Sequence, residues 1–361
     1  MSKSKRIYNL SAGPAILPVP VVEQMQAALC DFQGSGLGIA EMSHRSALFE
    51  SVNDAAQAGI RSLLAIPEDY EVLFMQGGAT AQFAAVPMNF ATSSTTFEYI
   101  DTGVWSQKAL EEARRYGNVV VASSGKENHY RTIPAEHHSS RGSFYLHFTS
   151  NNTIYGTQFK VEPQHQAEYL VCDASSDILS KPLDISKYGL IYASTQKNAG
   201  IAGLTLVILK KELLDKVTGN TPQILDYRNY AKSQSLFNTP PTLAIYCVHE
   251  ICNWIAASGG LNGMQRLAEQ RSDLVYQIID SSEFYQGVSD PSCRSLMNVT
   301  FRLSNEALNE QFLSEATEAG FSGLAGHRSA GGFRASMYNA LPVDAAQDLA
   351  NFMKEFETKF G

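Results

Sequence analysis

The sequence predicts an α/β domain with a largely parallel sheet, followed by a smaller α+β unit. Apolar strand-like runs alternate with helical and loop segments from Tyr70 to Leu209, which is typical of parallel sheets with helices on their faces. Polar or glycine-bearing stretches follow several of these runs, at the sheet edge where such folds bind ligands. A Gly259-Gly260 pair then interrupts the chain, and helices and strands alternate again up to Glu357.

The predicted elements follow one another in a regular order. Helical periodicity predicts helices over Val21–Phe32 and Leu48–Leu64 before the sheet begins. The predicted strands of the larger unit are Tyr70–Met75, Thr96–Asp101, Asn118–Ala122, Ser143–Thr149, Tyr169–Cys172, Leu190–Ala193 and Leu204–Leu209. Its later helices are Ser106–Tyr116 and Thr242–Ala257. The smaller unit reads as helix Met264–Asp280, strand Met297–Leu303, helix Glu306–Ala319, strand Phe333–Met337 and helix Val343–Glu357. We therefore place the larger unit at 15–258 and the smaller at 259–361, and expect residues 1–14 to pack near the active site.

Composition bounds the class of protein. The 361 residues are 44% hydrophobic and 18% charged, which is ordinary for a globular chain with a sizeable core. A net charge of −8 argues against a general nucleic-acid or acidic-membrane partner. The five cysteines include no C-x-x-C pair, which disfavours a disulfide framework or a zinc site. The basic start, Met1–Arg6, precedes no apolar signal core. We expect a soluble cytoplasmic protein.

Lys197 stands in a loop between two apolar runs. The stretch YGLIYASTQKNAGIAGLTLVILK, residues 188–210, places a polar segment and glycines between two strand-like runs. Burial beside a core makes an ammonium costly and lowers its pKa, which frees the amine as a nucleophile. We interpret Lys197 as a Schiff-base lysine that holds an aldehyde cofactor, pyridoxal phosphate. A solvated lysine on a surface loop is the alternative.

Asp173 supports the cofactor hypothesis. It ends the apolar run Tyr169–Cys172 and opens a polar stretch. Pyridoxal chemistry needs a carboxylate against the pyridine nitrogen, because the protonated ring is the electron sink. Neighbouring strand ends of one sheet would bring Asp173 and Lys197 to the same crevice. The alternative is that Asp173 only caps the segment that follows.

Two further strand-to-helix turns carry candidate cofactor contacts. Gly77-Gly78 precedes Ala79 and Thr80, and such a turn directs backbone N–H groups and a helix N-terminus at an anion. We interpret it as a phosphate cradle, with a plain turn as the alternative. Trp105 follows the next strand, where it could stack on a flat ring or anchor the core.

Two cationic clusters are candidates for anionic substrate groups. His44-Arg45 lies in a glycine-bearing loop, and His327, Arg328 and Arg334 lie in LAGHRSAGGFRAS, residues 324–336. Guanidinium groups bind phosphate or carboxylate in a bidentate manner. Solvated loop side chains are the alternative in both places.

These motifs together resemble a known family. The segments are NLSAGPAILP, EMSHRS, GGATAQFAAVPMN, DTGVWS, CDASSDILSKPLD, YASTQKNAG, LFNTPPT and GHRSAGGFRASMYNA. In this order they resemble the phosphoserine aminotransferases, class V enzymes of pyridoxal phosphate fold type I, over nearly the whole length. The resemblance implies a sheet of the seven-stranded type, a homodimer with shared active sites, and transamination between glutamate and 3-phosphohydroxypyruvate in serine biosynthesis. Whether a phosphorylated hydroxythreonine of pyridoxine biosynthesis is also a substrate stays open.

The resemblance also implies roles for single residues. Lys197 would carry the cofactor and shuttle the proton, Asp173 would pair with the ring nitrogen, Trp105 would stack on the ring and Thr153 would bond its hydroxyl. The cofactor phosphate would meet Ala79, Thr80 and Gln196, and Asn238 and Thr239 of the neighbouring subunit. Arg334 would bind the substrate α-carboxylate, while His327, Arg328 and the partner-derived pair His44 and Arg45 would surround its phosphate.

One departure and two rivals accompany this interpretation. Many relatives carry Gly-Arg where this chain has Ala79-Thr80, so a cationic side chain is missing from the cradle. Another class V enzyme, such as an alanine–glyoxylate type aminotransferase or a desulfurase, is the near rival; a desulfurase would need a mobile-loop cysteine, and Cys30 and Cys293 lie outside the motifs. A nucleotide-binding module without chemistry is disfavoured because no G-x-G-x-x-G follows the first strand.

Overall fold

Strands of the chain form three sheets. The computed structural model describes residues 6–361. The strands are β1 (Tyr8–Asn9), β2 (Tyr70–Gln76), β3 (Thr96–Asp101), β4 (Asn118–Ser124), β5 (Tyr145–Thr149), β6 (Tyr169–Asp173), β7 (Leu190–Ser194), β8 (Leu204–Lys210), β9 (Tyr285–Gly287), β10 (Asn298–Leu303), β11 (Phe321–Ser322) and β12 (Phe333–Ser336). A seven-stranded sheet has the order β2-β8-β7-β6-β5-β3-β4, a three-stranded sheet the order β12-β10-β9, and β1 pairs with β11.

Helices cover these sheets. They are α1 (Val19–Cys30), α2 (Ala47–Leu63), α3 (Gly78–Phe90), α4 (Val104–Ala113), α5 (Tyr227–Lys232), α6 (Thr242–Ala257), α7 (Gly260–Asp280), α8 (Asn309–Glu318) and α9 (Val343–Phe360). Short 3-10 helices lie at Lys126–Asn128, Ile185–Lys187, Lys211–Lys216, Gln223–Leu225, Pro291–Cys293 and Glu306–Leu308. The last of these precedes α8, so the helix predicted from Glu306 begins as a 3-10 turn.

The predicted α/β class with a mostly parallel sheet is confirmed. The pairs β3–β4, β3–β5, β5–β6 and β6–β7 are parallel. Only β8 runs against its neighbours, and it pairs antiparallel with both β2 and β7. The connection from β7 to β8 is a short loop, residues 195–203, which reverses the chain without the crossover that a parallel neighbour would need. This loop carries Lys197.

Both faces of the large sheet are buried. Along β2, Val72 and Phe74 join one hydrophobic core and Leu73 and Met75 join another. Successive side chains of a strand point to opposite faces, so this split places helices on both sides of the sheet. The near-continuous apolar runs that predicted the strands follow from this double burial.

A separate core surrounds the three-stranded sheet. It is built by β9, β10 and β12 with α8, α9 and the later turns of α7. The first turns of α7 pack instead in the larger core, through Leu261 and Met264. We propose a boundary at 258/259, supported by the positive φ of Gly259 and Gly260 between α6 and α7. The strands β1, β9 and β11 and helix α5 were not predicted, because each is too short to show a period.

The N-terminal segment joins the two sheet systems. Leu10 accepts a backbone hydrogen bond from Ser336 at the end of β12, and Ala15 N donates 2.9 Å to Gln196 O. Residues 1–5 of the predicted segment 1–14 lie outside the described residues. No helix within residues 6–361 is long and apolar enough to cross a bilayer. That part of the chain also holds no cluster of acidic, histidine and cysteine side chains suited to a metal ion.

Candidate active site

A cavity of about 190 Å³ opens where the parallel strands end. Its lining residues are Gly77, Gly78, Ala79, Thr80, Trp105, Thr149, Asn151, Thr153, Asp173, Ser175, Ser176, Ser194, Gln196 and Lys197. They come from segments that follow, or end, β2, β3, β5, β6 and β7. The carboxyl ends of parallel strands share one edge of a sheet, so five distant stretches of sequence meet here.

Lys197 extends its amine into this cavity. Its Nζ donates a 2.6 Å hydrogen bond to Thr153 Oγ1. Burial lowers the pKa of Lys197 to about 8; Asp173 opposes this shift and Arg334 adds to it. The lysine stem is confined by Gly13, where an added Cβ would lie 3.3 Å from Lys197 Cγ. The lowered pKa gives this amine a larger neutral fraction at neutral pH than an exposed lysine has, and therefore nucleophilic and basic character.

Asp173 is the last residue of β6 and is 4% exposed. Its carboxylate accepts a 3.0 Å hydrogen bond from Ser175 N, so the capping interaction does exist. Burial raises the pKa of Asp173, while the Ser175 hydrogen bonds and the Lys197 charge lower it. One capping bond leaves most of the lone pairs of a buried carboxylate free for a cationic or N–H partner.

The turn between β2 and α3 contributes to the cavity lining. Gly77 and Gly78 have φ of 97° and 66°, a left-handed region that glycine reaches without strain. Ala79 N donates 3.0 Å to Ser194 Oγ, and a Cβ at Gly78 would meet that oxygen at 2.9 Å. The first residues of α3 thus line the cavity together with Ser194, and the N-terminus of a helix favours an anion.

Trp105 forms one wall of the cavity near its lysine. The ring packs against the core on one side of the sheet, and its centroid lies 5.9 Å from Lys197 Nζ. Trp105 therefore packs on the core and also lines the cavity, and its stacking on a flat ring stays a prediction. Among the side chains of residues 6–361, none hydrogen-bonds the buried Trp105 Nε1 or Thr149 Oγ1. Buried polar atoms of this kind are normally satisfied, so the cavity is suited to a polar ligand.

The cations of the smaller sheet lie close to the cavity without lining it. Arg334 on β12 is 9% exposed and near enough to Lys197 to lower its pKa. Its Nε has no hydrogen-bond partner in the part of the chain that the structure describes. Burial lowers the pKa of His327, and Arg334, Arg328 and Lys108 lower it further. An anion bound here would relieve that mutual repulsion.

The structure leaves four predicted site residues away from the cavity of their own chain. His44 is buried and Arg45 is exposed, and both lie in the loop before α2. Asn238 donates 3.1 Å to Gln76 Oε1, and Gln76 donates 2.9 Å to Thr239 O. These contacts hold Asn238 and Thr239 beside the β2 end of the sheet rather than in the cavity lining.

Sequence reasoning missed several lining residues. They are Thr149, Asn151, Ser175, Ser176 and Ser194. Each lies at or just after the end of a predicted strand, so their position was a usable signal. Their residue type was not, because serine, threonine and asparagine are common in every turn.

Comparison with known proteins adds to this geometry. A model of the family described as "Aminotransferase class-V" matches residues 7–349. The phosphoserine aminotransferase of Lysinibacillus sphaericus is 50% identical over 359 residues, which covers 99% of each chain. The solved structure of phosphoserine aminotransferase from Bacillus circulans subsp. alkalophilus matches with a TM-score of 0.97 and 46% identity, over 99% of this chain and 100% of that one. A PLP-bound phosphoserine aminotransferase from Trichomonas vaginalis matches with a TM-score of 0.92 and 35% identity, over 97% and 100% of the two chains.

Proposed function

This chain belongs to the class-V aminotransferase family, and we propose that it is a phosphoserine aminotransferase dependent on pyridoxal phosphate. The reaction is L-glutamate plus 3-phosphohydroxypyruvate to 2-oxoglutarate plus O-phospho-L-serine. The observation that carries the proposal is the position of the Lys197 amine and the Asp173 carboxylate on one cavity whose wall includes Trp105. An amine, a carboxylate and an aromatic face are the groups that this cofactor requires.

The residues present fit the cofactor. The unpartnered Trp105 Nε1 and Thr149 Oγ1, among the residues described, are polar atoms that a bound molecule can satisfy. The α3 N-terminus is suited to a phosphate group because its first residues line the cavity and a helix N-terminus attracts anions. We assign the phosphate to Ala79, Thr80 and Gln196, the ring face to Trp105, the ring hydroxyl to Thr153 and the ring nitrogen to Asp173.

The chemistry divides between the cofactor and the chain. When bound, pyridoxal phosphate supplies an aldehyde that carries the amino group and a protonated ring that withdraws electrons from the substrate Cα. Lys197 removes the proton from the substrate Cα, since its lowered pKa leaves a neutral amine available. The same amine later gives this proton back to complete the amino transfer. Asp173 keeps its charge in a buried position when a cation lies beside it, and a protonated ring nitrogen is such a cation.

Substrate recognition is assigned to the cations near the cavity. Arg334 takes the α-carboxylate, which glutamate and phosphoserine share, by a bidentate ion pair. His327 and Arg328 take the phosphate, which only one of the two substrates carries. The same cations would also accept a phosphorylated hydroxythreonine, because its phosphate and carboxylate resemble those of phosphoserine.

We extend the proposal to a homodimer with shared active sites. It is supported by the location of Arg45 and Asn238 outside the cavity of their own chain, together with exposed apolar residues Val19, Val22 and Leu29 on α1. An equimolar mixture of Lys197→Ala and Arg45→Ala chains should regain about one quarter of wild-type activity, because about half of the dimers are mixed and each mixed dimer has one intact site of its two. Activity that stays at the level of the separate variants would mean that each chain builds its own site.

Colour is the direct test of the cofactor assignment. The purified protein should be yellow, and borohydride should bleach it and leave a label on Lys197. The Lys197→Ala variant should show neither the visible absorbance nor turnover. Retained transamination in that variant would refute the role of Lys197. A colourless protein that pyridoxal phosphate cannot reconstitute would favour the rival without chemistry.

A substrate panel separates this enzyme from other class V aminotransferases. The substitutions Arg45→Ala and Arg328→Ala should weaken the binding of 3-phosphohydroxypyruvate more than the binding of glutamate, because the two arginines bind the phosphate. Equal losses for both substrates would contradict the phosphate assignment. Activity with glyoxylate that exceeds activity with the phosphorylated keto acid would favour the alanine–glyoxylate type.

We also propose a cytoplasmic location. Its support is that all five cysteines are free thiols in a structure that describes each of them, as expected in a reducing compartment. Fractionation of the source cells would test it, and recovery outside the cytoplasm would contradict it.

A further inference from the structure

One face of the small sheet is polar and turned toward the larger unit. In the antiparallel pair β10–β12, Asn298 lies opposite Ser336 and Thr300 opposite Arg334. Opposed residues share a face, and so do residues two apart along a strand. Asn298, Thr300, Ser336 and Arg334 therefore form one patch, which sits on the loop that follows β5.

Asn298 makes the central contact of this patch. Its Oδ1 accepts a 2.8 Å hydrogen bond from Asn151 Nδ2, and its own Nδ2 donates to Ser336 Oγ at 3.0 Å and to Tyr338 OH at 3.3 Å. The side chain is fully buried. All of its polar atoms are thus bonded to groups on both sides of the junction between the two units.

Asn151 completes the junction from the side of the cavity. It is 1% exposed to solvent overall and contributes to the cavity lining. Its Nδ2 also donates 2.8 Å to Ser176 Oγ, and its Oδ1 accepts from Ser295 Oγ. Every donor and acceptor of this amide is therefore occupied, which fixes its orientation.

The backbone around Asn151 and Asn298 is closely packed. A Cβ added at Gly156 would lie 2.6 Å from Thr300 Oγ1 and 2.7 Å from Asn298 O. Thr300 Oγ1 donates 2.9 Å to Tyr155 O, and Ser295 N donates 2.8 Å to Gly156 O. The loop after β5, which carries Thr153, is therefore seated directly on β10.

We propose that Asn298 and Asn151 are positioning residues that set Arg334 at a fixed place relative to the cofactor cavity. The inference rests on the proposed function, in which Arg334 binds the substrate carboxylate. Arg334 lies on the strand that Asn298 holds through Ser336, and Asn151 ties Asn298 to the cavity wall. An amide suits this place because it donates and accepts at once, which no aliphatic residue can do.

The test uses the holoenzyme and the single variant Asn298→Ala. It should raise KM for glutamate and for the keto acid by the same factor, roughly tenfold, since small displacements of a positioned group are costly. It should leave the visible spectrum of the bound cofactor unchanged. Calorimetric binding of glutarate, a dicarboxylate that cannot react, should weaken by the same factor.

Double variants show whether Asn298 acts through Arg334. Arg334→Ala alone should weaken glutarate binding. Adding Asn298→Ala to that variant should cause no further loss of binding, because the effects of coupled residues are non-additive. Asn89→Ala is the matched control: Asn89 is also fully buried and donates to Ala85 O at 2.7 Å and Leu225 O at 2.8 Å. It should lower the melting temperature without changing glutarate binding.

Three outcomes would overturn the inference. Unchanged KM and glutarate binding in Asn298→Ala, with Arg334→Ala impaired, would refute it alone. Additive losses in the double variant would show that Asn298 acts independently of Arg334. No effect of Arg334→Ala would refute the carboxylate assignment and this inference with it. Should Asn298→Ala fail to fold, Asn298→Ser keeps a hydroxyl at the site and is expected to show the same pattern at smaller size.

Discussion

Replacing Lys197 by methionine should stabilise the cofactor-free enzyme at pH 7. Burial lowers the pKa of Lys197 from 10.5 to about 8, which corresponds to about 3 kcal/mol. Solvent reaches the side chain through the cavity, so screening reduces this figure. Loss of the Thr153 hydrogen bond and of the cation beside Asp173 reduces it further. We expect a net gain of roughly 1–2 kcal/mol in the free energy of unfolding.

The pH dependence distinguishes this effect from better packing. The folded pKa lies below the unfolded value, so below pH 8 lysine is protonated in both states and the full penalty applies. Between about 8 and 10.5 the unfolded chain binds more protons, and wild-type stability rises with pH relative to the variant. The advantage of Lys197→Met should therefore shrink across this window and level off above it.

Urea denaturation of both proteins at pH 7, 8, 9 and 10 measures the difference. Protein concentration is held fixed, because the stability of the proposed dimer would depend on it. The double variant Lys197→Met/Asp173→Asn is the control for the carboxylate, since it removes both charges and should be more stable than Lys197→Met at pH 7. Parallel stability curves for wild type and Lys197→Met, with a constant gap from pH 7 to 10, would refute the reasoning.

Two further substitutions probe the cavity wall. Gly13→Ala should slow turnover by about tenfold, because a Cβ 3.3 Å from Lys197 Cγ would displace the lysine, and it should also lower the melting temperature, because a φ of 128° strains a residue that carries a Cβ; unchanged kcat would contradict this. The double variant Ala79→Gly/Thr80→Arg should bind pyridoxal phosphate roughly three- to tenfold more tightly, because a guanidinium adds a charge-assisted hydrogen bond to the phosphate. Equilibrium dialysis measures this affinity, and weaker binding would show that the site has no room for the arginine side chain.

Most of the fold could be predicted because its strands are buried on both faces. The run Leu206–Leu209 within β8 is apolar throughout, and such a run indicates a strand without reference to tertiary structure. The one signal of its antiparallel direction is the short loop 195–203, which leaves no room for a parallel crossover, and the prediction of a largely parallel sheet did not use it. The pair β1–β11 was also beyond reach, because two residues such as Tyr8–Asn9 carry no period.

Part of the candidate site could be predicted for a different reason. The shared position of Asp173 and Lys197 can be predicted from topology, since the carboxyl ends of parallel strands lie at one edge of the sheet. Ser194 lies at the same edge, yet only the folded structure shows that its hydroxyl accepts a hydrogen bond from Ala79 N. Residues that act through a hydrogen bond to a distant segment give no local signal.

The junction between the units shows where this limit comes from. Asn151 and Asn298 are 147 residues apart in sequence and meet through one 2.8 Å hydrogen bond. A buried asparagine has no periodic partner, and its type alone fits any turn. Lys197 needs only its own strand loop to be recognised, whereas Arg334 becomes useful to it only if β12 is held at the right distance. That distance is set by side chains on two units. The sequence therefore indicates which residues carry the chemistry, but it does not indicate the distance between Lys197 and Arg334 on which the reaction depends.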